Sequence, residues 1–214
     1  SGMAGSPDNQ HPQALVQADI DELVGRVTAV IREVQPQVVV TFDPNGGYGH
    51  PDHIAMHRAT VAAFAAAGDP DRYAEQLAEG LDPYQPQRLY HTNIDRSLLR
   101  IEIAWMRLRG MDPTRVGKNN DVDLVAVARA RYPIHVRVNI RRYVDAWDRA
   151  SSCHSSQSRG IPALLPDWLR QLLFGWQAFT QIAPPRTTDR IEHDLFAGVI
   201  LQPKTQIQRK GPTR

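Results

Sequence analysis

The chain has 214 residues, 42% of them apolar, one cysteine and a formal net charge of +2. That length suits one sizeable domain with enough apolar side chains for a core. The small charge, without aromatic–basic alternation, argues against nucleic acid as a partner, and a single cysteine excludes an intrachain disulfide, in keeping with a reducing compartment.

No uninterrupted apolar segment reaches the ~20 residues that span a bilayer. The first residues are polar and lack the apolar core of a signal peptide. A cytoplasmic protein without a membrane span is the expectation. The sequence leaves homo-oligomerisation open.

The chain starts Ser1-Gly2-Met3 and stays loop-like through residue 18. Residues 19–35 then read as an amphipathic helix, with Ile20, Leu23, Val24, Val27, Val30, Ile31 and Val34 at three- and four-residue spacing. Asp19 and Glu22 resemble a capping box, and Pro36 ends the helix. Residues 37–42 are apolar and β-branched, which predicts a buried strand covered on both faces. Residues 52–67 form the next predicted helix, stopped by Gly68-Asp69-Pro70.

Residues 68–86 read as loop with one helical turn, and 88–92 as a second strand. Residues 97–109 have helical spacing, with Leu98, Ile101, Trp105 and Leu108 on one face. Residues 122–131 read as a short helix or strand. Ile134, Val136, Val138 and Ile140 alternate with polar residues, which predicts a half-exposed strand near a sheet edge. Helices are expected over 141–154 and 166–176, a strand over 179–182 and a last helix over 190–200. Alternating strands and helices predict an α/β layered domain over 1–201. Residues 202–214, with Lys204, Arg209, Lys210 and Arg214, read as a basic flexible tail.

The chemistry concentrates in Asp43-Pro44-Asn45-Gly46-Gly47-Tyr48-Gly49-His50-Pro51-Asp52-His53. Two histidines, a tyrosine and two carboxylates sit in a glycine-rich turn between a strand and a helix, where α/β proteins present reactive side chains. His50 and His53 straddle the start of the helix, and imidazole is both a metal ligand and an acid or base near neutral pH. Asp52 is placed to orient one of them, and Tyr48 can bring a phenol to the same pocket. His57 lies one turn beyond His53, but Ile54 stands where a zinc protease needs its glutamate. His57 is therefore read as ordinary helix surface. Histidines 11, 91, 135 and 193 show no clustering, and Cys153 reads as a small buried residue.

On these residues the chain resembles the zinc-dependent N-acetylglucosaminyl deacetylases, a family that includes GlcNAc-PI de-N-acetylase and the mycothiol-biosynthesis deacetylase. The 43–53 motif agrees at every position. Weaker similarity lies in Ser1-Gly2-Met3-Ala4-Gly5, in Gly68-Asp69-Pro70-Asp71-Arg72-Tyr73 and in Cys153-His154-Ser155-Ser156-Gln157. The resemblance implies a three-layer Rossmann-like α/β fold with a mostly parallel sheet. It also implies zinc, or another divalent metal, as cofactor and a small amino-sugar conjugate as substrate. Carried over by position, His53 matches a zinc ligand and His50 the acid that protonates the leaving amine. Asp52 matches the carboxylate partner of His50, and Tyr48 an oxyanion donor. Met3 and Gln157 match residues that line the substrate pocket.

One departure stands out. The family's His-Pro-Asp-Asp motif, which supplies two zinc ligands and the general base, does not occur in this sequence; His11-Pro12 is followed by Gln13-Ala14. An N-terminally truncated domain is the expectation that follows. The predicted activity is metal-dependent removal of an acetyl group from an N-acetylglucosaminyl conjugate. A mycothiol-conjugate-type amidase is the related alternative. A metal-free fragment or sugar-binding module is the alternative of another class.

Overall fold

The computed structural model describes residues 2–94, 96–117, 120–153 and 166–200. Gln157, His154, the side chain of Leu98 and the expected tail at 202–214 lie outside the described residues.

After two short 3-10 turns the chain enters α1 (Ile20–Val34). Asp19 caps it: its Oδ1 accepts from the backbone N–H groups of Asp21 at 2.8 Å and Glu22 at 3.1 Å. Gln35 ends it in the left-handed region, with φ 49°. The buried stripe of α1 keeps Leu23, Val24 and Ile31 of the predicted one, with Val27 packed against it, and departs from it elsewhere. Leu23, Val24, Thr28, Ile31 and Arg32 face inward, while Ile20, Val30 and Val34 are exposed. The helix is turned by its packing on α3 (Pro51–Ala66), where Ala59, Ala63, Ala66 and Ala67 let the two backbones approach. Arg32 fills the remaining gap and is 1% exposed.

β1 (Val38–Thr41) pairs in parallel with β2 (Arg88–Asn93), so that Thr41 lies opposite His91. β4 (Trp176–Ala183) runs antiparallel to β2, and β3 (Val136–Asn139) antiparallel to β4. The sheet order is β1-β2-β4-β3. The α/β class is the expected one. The sheet is mixed, and the parallel part of it is the β1–β2 pair.

β3 comes last in the order of the described strands, near the edge its alternation predicted. β1 corrects the sequence reading. It forms the other edge among the described strands, and Val40 is 43% exposed rather than covered on both faces. A one-turn segment, α2 (Gly46–Gly49), joins β1 to α3. α4 (Ala74–Ala78) is the helical turn expected in the 68–86 loop. α5 (Arg96–Leu108) packs against α6 (Leu124–Arg129) through Leu99, Ile103 and Ala128. α7 (Val144–Ser152) and α8 (Asp167–Phe174) follow the predicted spans closely.

The helix expected over 190–200 does not form. Residues 190–192 extend beside β3 instead: Arg137 N–H donates to the Glu192 carbonyl (2.8 Å) and Glu192 N–H to the His135 carbonyl (3.0 Å). Asp194 then starts a turn by accepting from Phe196 N–H. Backbone groups already paired with a strand are not available for a helical ladder.

Candidate active site

The site grows out of the parallel β1–β2 pair. Parallel strands end on the same side of a sheet, so whatever follows Thr41 meets whatever follows His91. Two residues past Thr41 comes Asp43, a carboxylate only 1% exposed. Its Oδ1 accepts from the backbone N–H of Asn45 (2.8 Å) and of Gly47 (3.2 Å), which folds the chain back at once. The turn needs glycine. Gly46 has φ 65°, and a Cβ there would stand 2.9 Å from Ile54 Cγ1 and 3.1 Å from His53 Cβ. Gly47 has φ 72° and ψ −87°, outside the allowed regions of an L-residue with a side chain.

This turn delivers Tyr48, His50 and His53 to one place. The His50 and His53 rings stack with centroids 4.7 Å apart at 27°. Tyr48 meets both edge-on, at 6.0 Å and 5.4 Å. On its far face His53 lies flat against Phe42, at 3.9 Å and 2°. His50 is buried and serves as the N-cap of α3: its Nδ1 accepts the backbone N–H of Asp52 at 3.2 Å. A nitrogen that accepts carries no proton, so the neutral ring holds its proton on Nε2. His53 uses Nδ1 to reach the Gly46 carbonyl at 3.2 Å, and a carbonyl only accepts. Its Nε2 then carries a lone pair. Burial holds the His53 pKa below the usual histidine value, and the neighbouring His50 adds to this against the Gly46 carbonyl, Asp52 and Asp43. Burial raises the Tyr48 phenol, helped by Asp121, so it remains a hydrogen-bond donor at neutral pH.

Asp52 is at the site, and it meets His50 through its backbone N–H. Met3 is bound into the N-terminal segment, where its carbonyl accepts from Ser6 N–H (2.9 Å) and Asn9 Nδ2 (2.8 Å). Cys153 is exposed rather than buried, because it lies past the last turn of α7.

The structure adds residues that the sequence reading set aside. His91 is 4% exposed at the carboxyl end of β2, with its ring 4.9 Å from Tyr132 and 6.3 Å from His57. Burial lowers its pKa against the pull of the Thr92 carbonyl and Asp43. Tyr132 in turn lies under the Arg96 guanidinium, 5.3 Å from its ring. His57 donates from Nδ1 to the Phe42 carbonyl at 2.7 Å.

A catalytic zinc is held by three protein ligands with an open fourth position. Among the described residues no three His, Cys, Asp or Glu side chains stand together so as to hold a metal ion. The described residues therefore do not fit a zinc centre by themselves.

Comparison with known proteins gives the context. The PIG-L family model, described as GlcNAc-PI de-N-acetylase, matches residues 4–64. The 1D-myo-inositol 2-acetamido-2-deoxy-alpha-D-glucopyranoside deacetylase of Thermobifida fusca is 36% identical over 202 residues, covering 92% of this chain and 67% of that protein. The protein of the same name in Geodermatophilus obscurus is 37% identical, covering 93% of this chain and 67% of its own length. The chain belongs to the PIG-L family of de-N-acetylases. The conserved protein TT1542 from Thermus thermophilus aligns at a TM-score of 0.46 and 18% identity, covering 86% of this chain and 66% of that one.

The PIG-L match takes in α1, β1, the glycine turn and most of α3, and stops before β2. The Phe42–His53–His50 stack thus falls inside the family segment, whereas His91, Arg96 and Tyr132 lie beyond it. Among the described residues no helix is long and apolar enough to cross a membrane.

Proposed function

We propose that this chain carries the acid–base wall of an N-deacetylase that hydrolyses the acetamide of an N-acetylglucosaminyl conjugate of a small polyol. The observation that carries this reading is the protonation pattern of three adjacent side chains. His50 holds a proton on Nε2, Tyr48 holds one on its phenol, and His53 presents a lone pair.

Amide hydrolysis needs that pattern. Water adds to the acetamide carbonyl, giving up a proton to the His53 Nε2 lone pair, and the carbonyl oxygen gains charge. A phenol that stays protonated can donate to it, and such a donor contributes ~3 kcal/mol. The C–N bond then breaks, and the departing nitrogen needs a proton to leave as an amine. His50 supplies it from Nε2 as the imidazolium formed when Nδ1 takes up a proton and lets go of the Asp52 N–H, so the ring returns to its neutral form and acetate and a free amino sugar are left. The names of the relatives support the substrate class: both are deacetylases of an N-acetylglucosaminyl inositol.

The test is amine release from 1D-myo-inositol 2-acetamido-2-deoxy-α-D-glucopyranoside by the purified chain, with and without added Zn2+. Equimolar acetate and amine are expected. A mycothiol-type S-conjugate run beside it distinguishes the amidase alternative. Saturable binding of the sugar with no amine released under either condition overturns the hydrolase reading in favour of a binding module.

A further inference from the structure

We infer that His57 is a positioning residue for this site, holding the aromatic plate on which His53 rests. His53 and His57 lie one helical turn apart on α3, so their side chains share a face. Both reach back to the same residue, Phe42, at the end of β1. His53 stacks on its ring at 3.9 Å with the planes 2° apart. His57 donates from Nδ1 to its carbonyl at 2.7 Å. α3 thus grips Phe42 at two points, one on the side chain and one on the backbone.

Phe42 needs this. It lies just past the last paired residue of β1, at an edge of the sheet, and is 37% exposed. The strand ladder ends at Thr41 and does not fix the Phe42 peptide. The His57 hydrogen bond supplies that fixed point. With the carbonyl held, the ring cannot slide along His53, and the Gly46 carbonyl sets the rotation of His53 about its stack. His57 is in turn met edge-on by His91, whose own Nδ1 faces the Thr92 carbonyl at 2.8 Å. The sequence carries β2 to this place only through the Thr41–His91 register.

The arrangement fixes where protons must be. A carbonyl cannot donate, so His57 carries its proton on Nδ1, the form that a free neutral imidazole in water disfavours. His57 makes its contacts with Phe42 and His91. Its effect passes through Phe42 to His53. The activity arm of the test rests on the deacetylase reading; the spectroscopic arm does not.

The experiment uses the whole chain, with ¹⁵N-labelled histidine, and three variants: His57→Asn, His57→Leu and Phe42→Leu. Long-range ¹H–¹⁵N spectra of the unsubstituted protein are expected to place a proton on His57 Nδ1. A proton on Nε2 alone overturns the inference without any variant having to fold. The His53 ring protons are expected upfield, in the ring current of Phe42. They move to ordinary positions in Phe42→Leu and partway in His57→Leu. They stay upfield in His57→Asn, whose amide reproduces the Nδ1 donor.

In the amine-release assay His57→Leu should lower kcat about tenfold with KM little changed, since misplacement of a reacting group costs rate rather than binding. His57→Asn should recover most of it. Unmoved His53 signals in His57→Leu, or equal kcat in the Leu and Asn variants, sink the positioning role. An unsubstituted chain that releases no amine sinks the deacetylase reading instead, and the two spectra still decide the role of His57.

Discussion

His50 accepts the backbone N–H of Asp52 at Nδ1, 3.2 Å away, and so closes the first turn of α3 with the same ring that stacks on His53. One side chain therefore caps the helix through Nδ1 and, in the proposed mechanism, supplies the acid through Nε2. Replacing it confounds the two roles unless they are separated. His50→Ala should lower kcat about 100-fold with KM little changed and cost about 1 kcal/mol of stability from the lost cap. His50→Asn restores a capping oxygen but no imidazole to carry the acid proton. Its melting temperature should return toward the unsubstituted value while kcat stays low. Recovery of kcat in His50→Asn removes His50 from the acid role.

Stability should depend on pH through the buried and half-buried imidazoles. His53, His91 and His135 all have pKa values below the ordinary 6.5, with burial the first cause in each. The unfolded chain then binds more protons than the folded one between the lowered values and 6.5. Stability rises with pH in that window and is lost as the pH falls below 6.5. His91→Phe keeps an aromatic ring against Tyr132 and removes one titrating group. Urea unfolding at pH 7.0, 6.0 and 5.0 should show a shallower loss for His91→Phe than for the unsubstituted chain. Identical slopes would mean that His91 is not held neutral.

Arg32 fastens the far end of α3 to α1. Its guanidinium donates to the carbonyls of Ala66, Ala67, Asp69, Arg72 and Tyr73 and to Gln76 Oε1. All six acceptors are neutral, so the side chain acts by geometry as much as by charge. Arg32→Met should cost about 3 kcal/mol or more, because it strands several buried carbonyls. Arg32→Lys should recover little of this, since an ammonium cannot span the same fork. Chemical denaturation of the two variants checks the point; a Lys variant of full stability would refute the fork argument.

How much of this was readable beforehand follows from what each signal depends on. The 43–53 motif and the extent of α3 are local: Pro51, the glycines and the helical spacing act over a few positions, and the folded turn agrees with them. Arg32 was hidden because a charged residue beside Glu33 reads as solvent-facing, and only packing on α3 turns it inward. His91 was hidden for a similar reason. Nothing near it in sequence is reactive, and its place beside Asp43 and His57 follows from a strand pairing across the intervening helix. The one usable signal was its position near the end of a predicted strand, where parallel sheets gather their sites. The β-branched run of β1 predicts a strand correctly but says nothing of its neighbours, so its exposed Val40 could not be foreseen. The final segment, expected as a helix, pairs its first residues with β3 instead.

Gly46 links that local grammar to the chemistry. Its φ of 65° is strained for any residue with a Cβ, and the added carbon would press on Ile54 N at 3.0 Å and on His53 Cβ at 3.1 Å. Backbone and the root of a helix side chain cannot swing aside as a flexible chain end would. Gly46→Ala must therefore push the turn away from α3, and the carbonyl that holds His53 Nδ1 moves with it. The expected cost is about 1–2 kcal/mol in stability. In the amine-release assay kcat should fall by about tenfold or more, because the ring that is displaced stands beside His50. Gly49→Ala is the control. It also has a positive φ, 92°, but a Cβ there meets nothing within 4 Å. It should carry the backbone strain without displacing His53, and so lose stability with a much smaller loss of kcat. Equal losses of kcat in the two variants would show that the turn as a whole, rather than the close approach at Gly46, sets the position of His53.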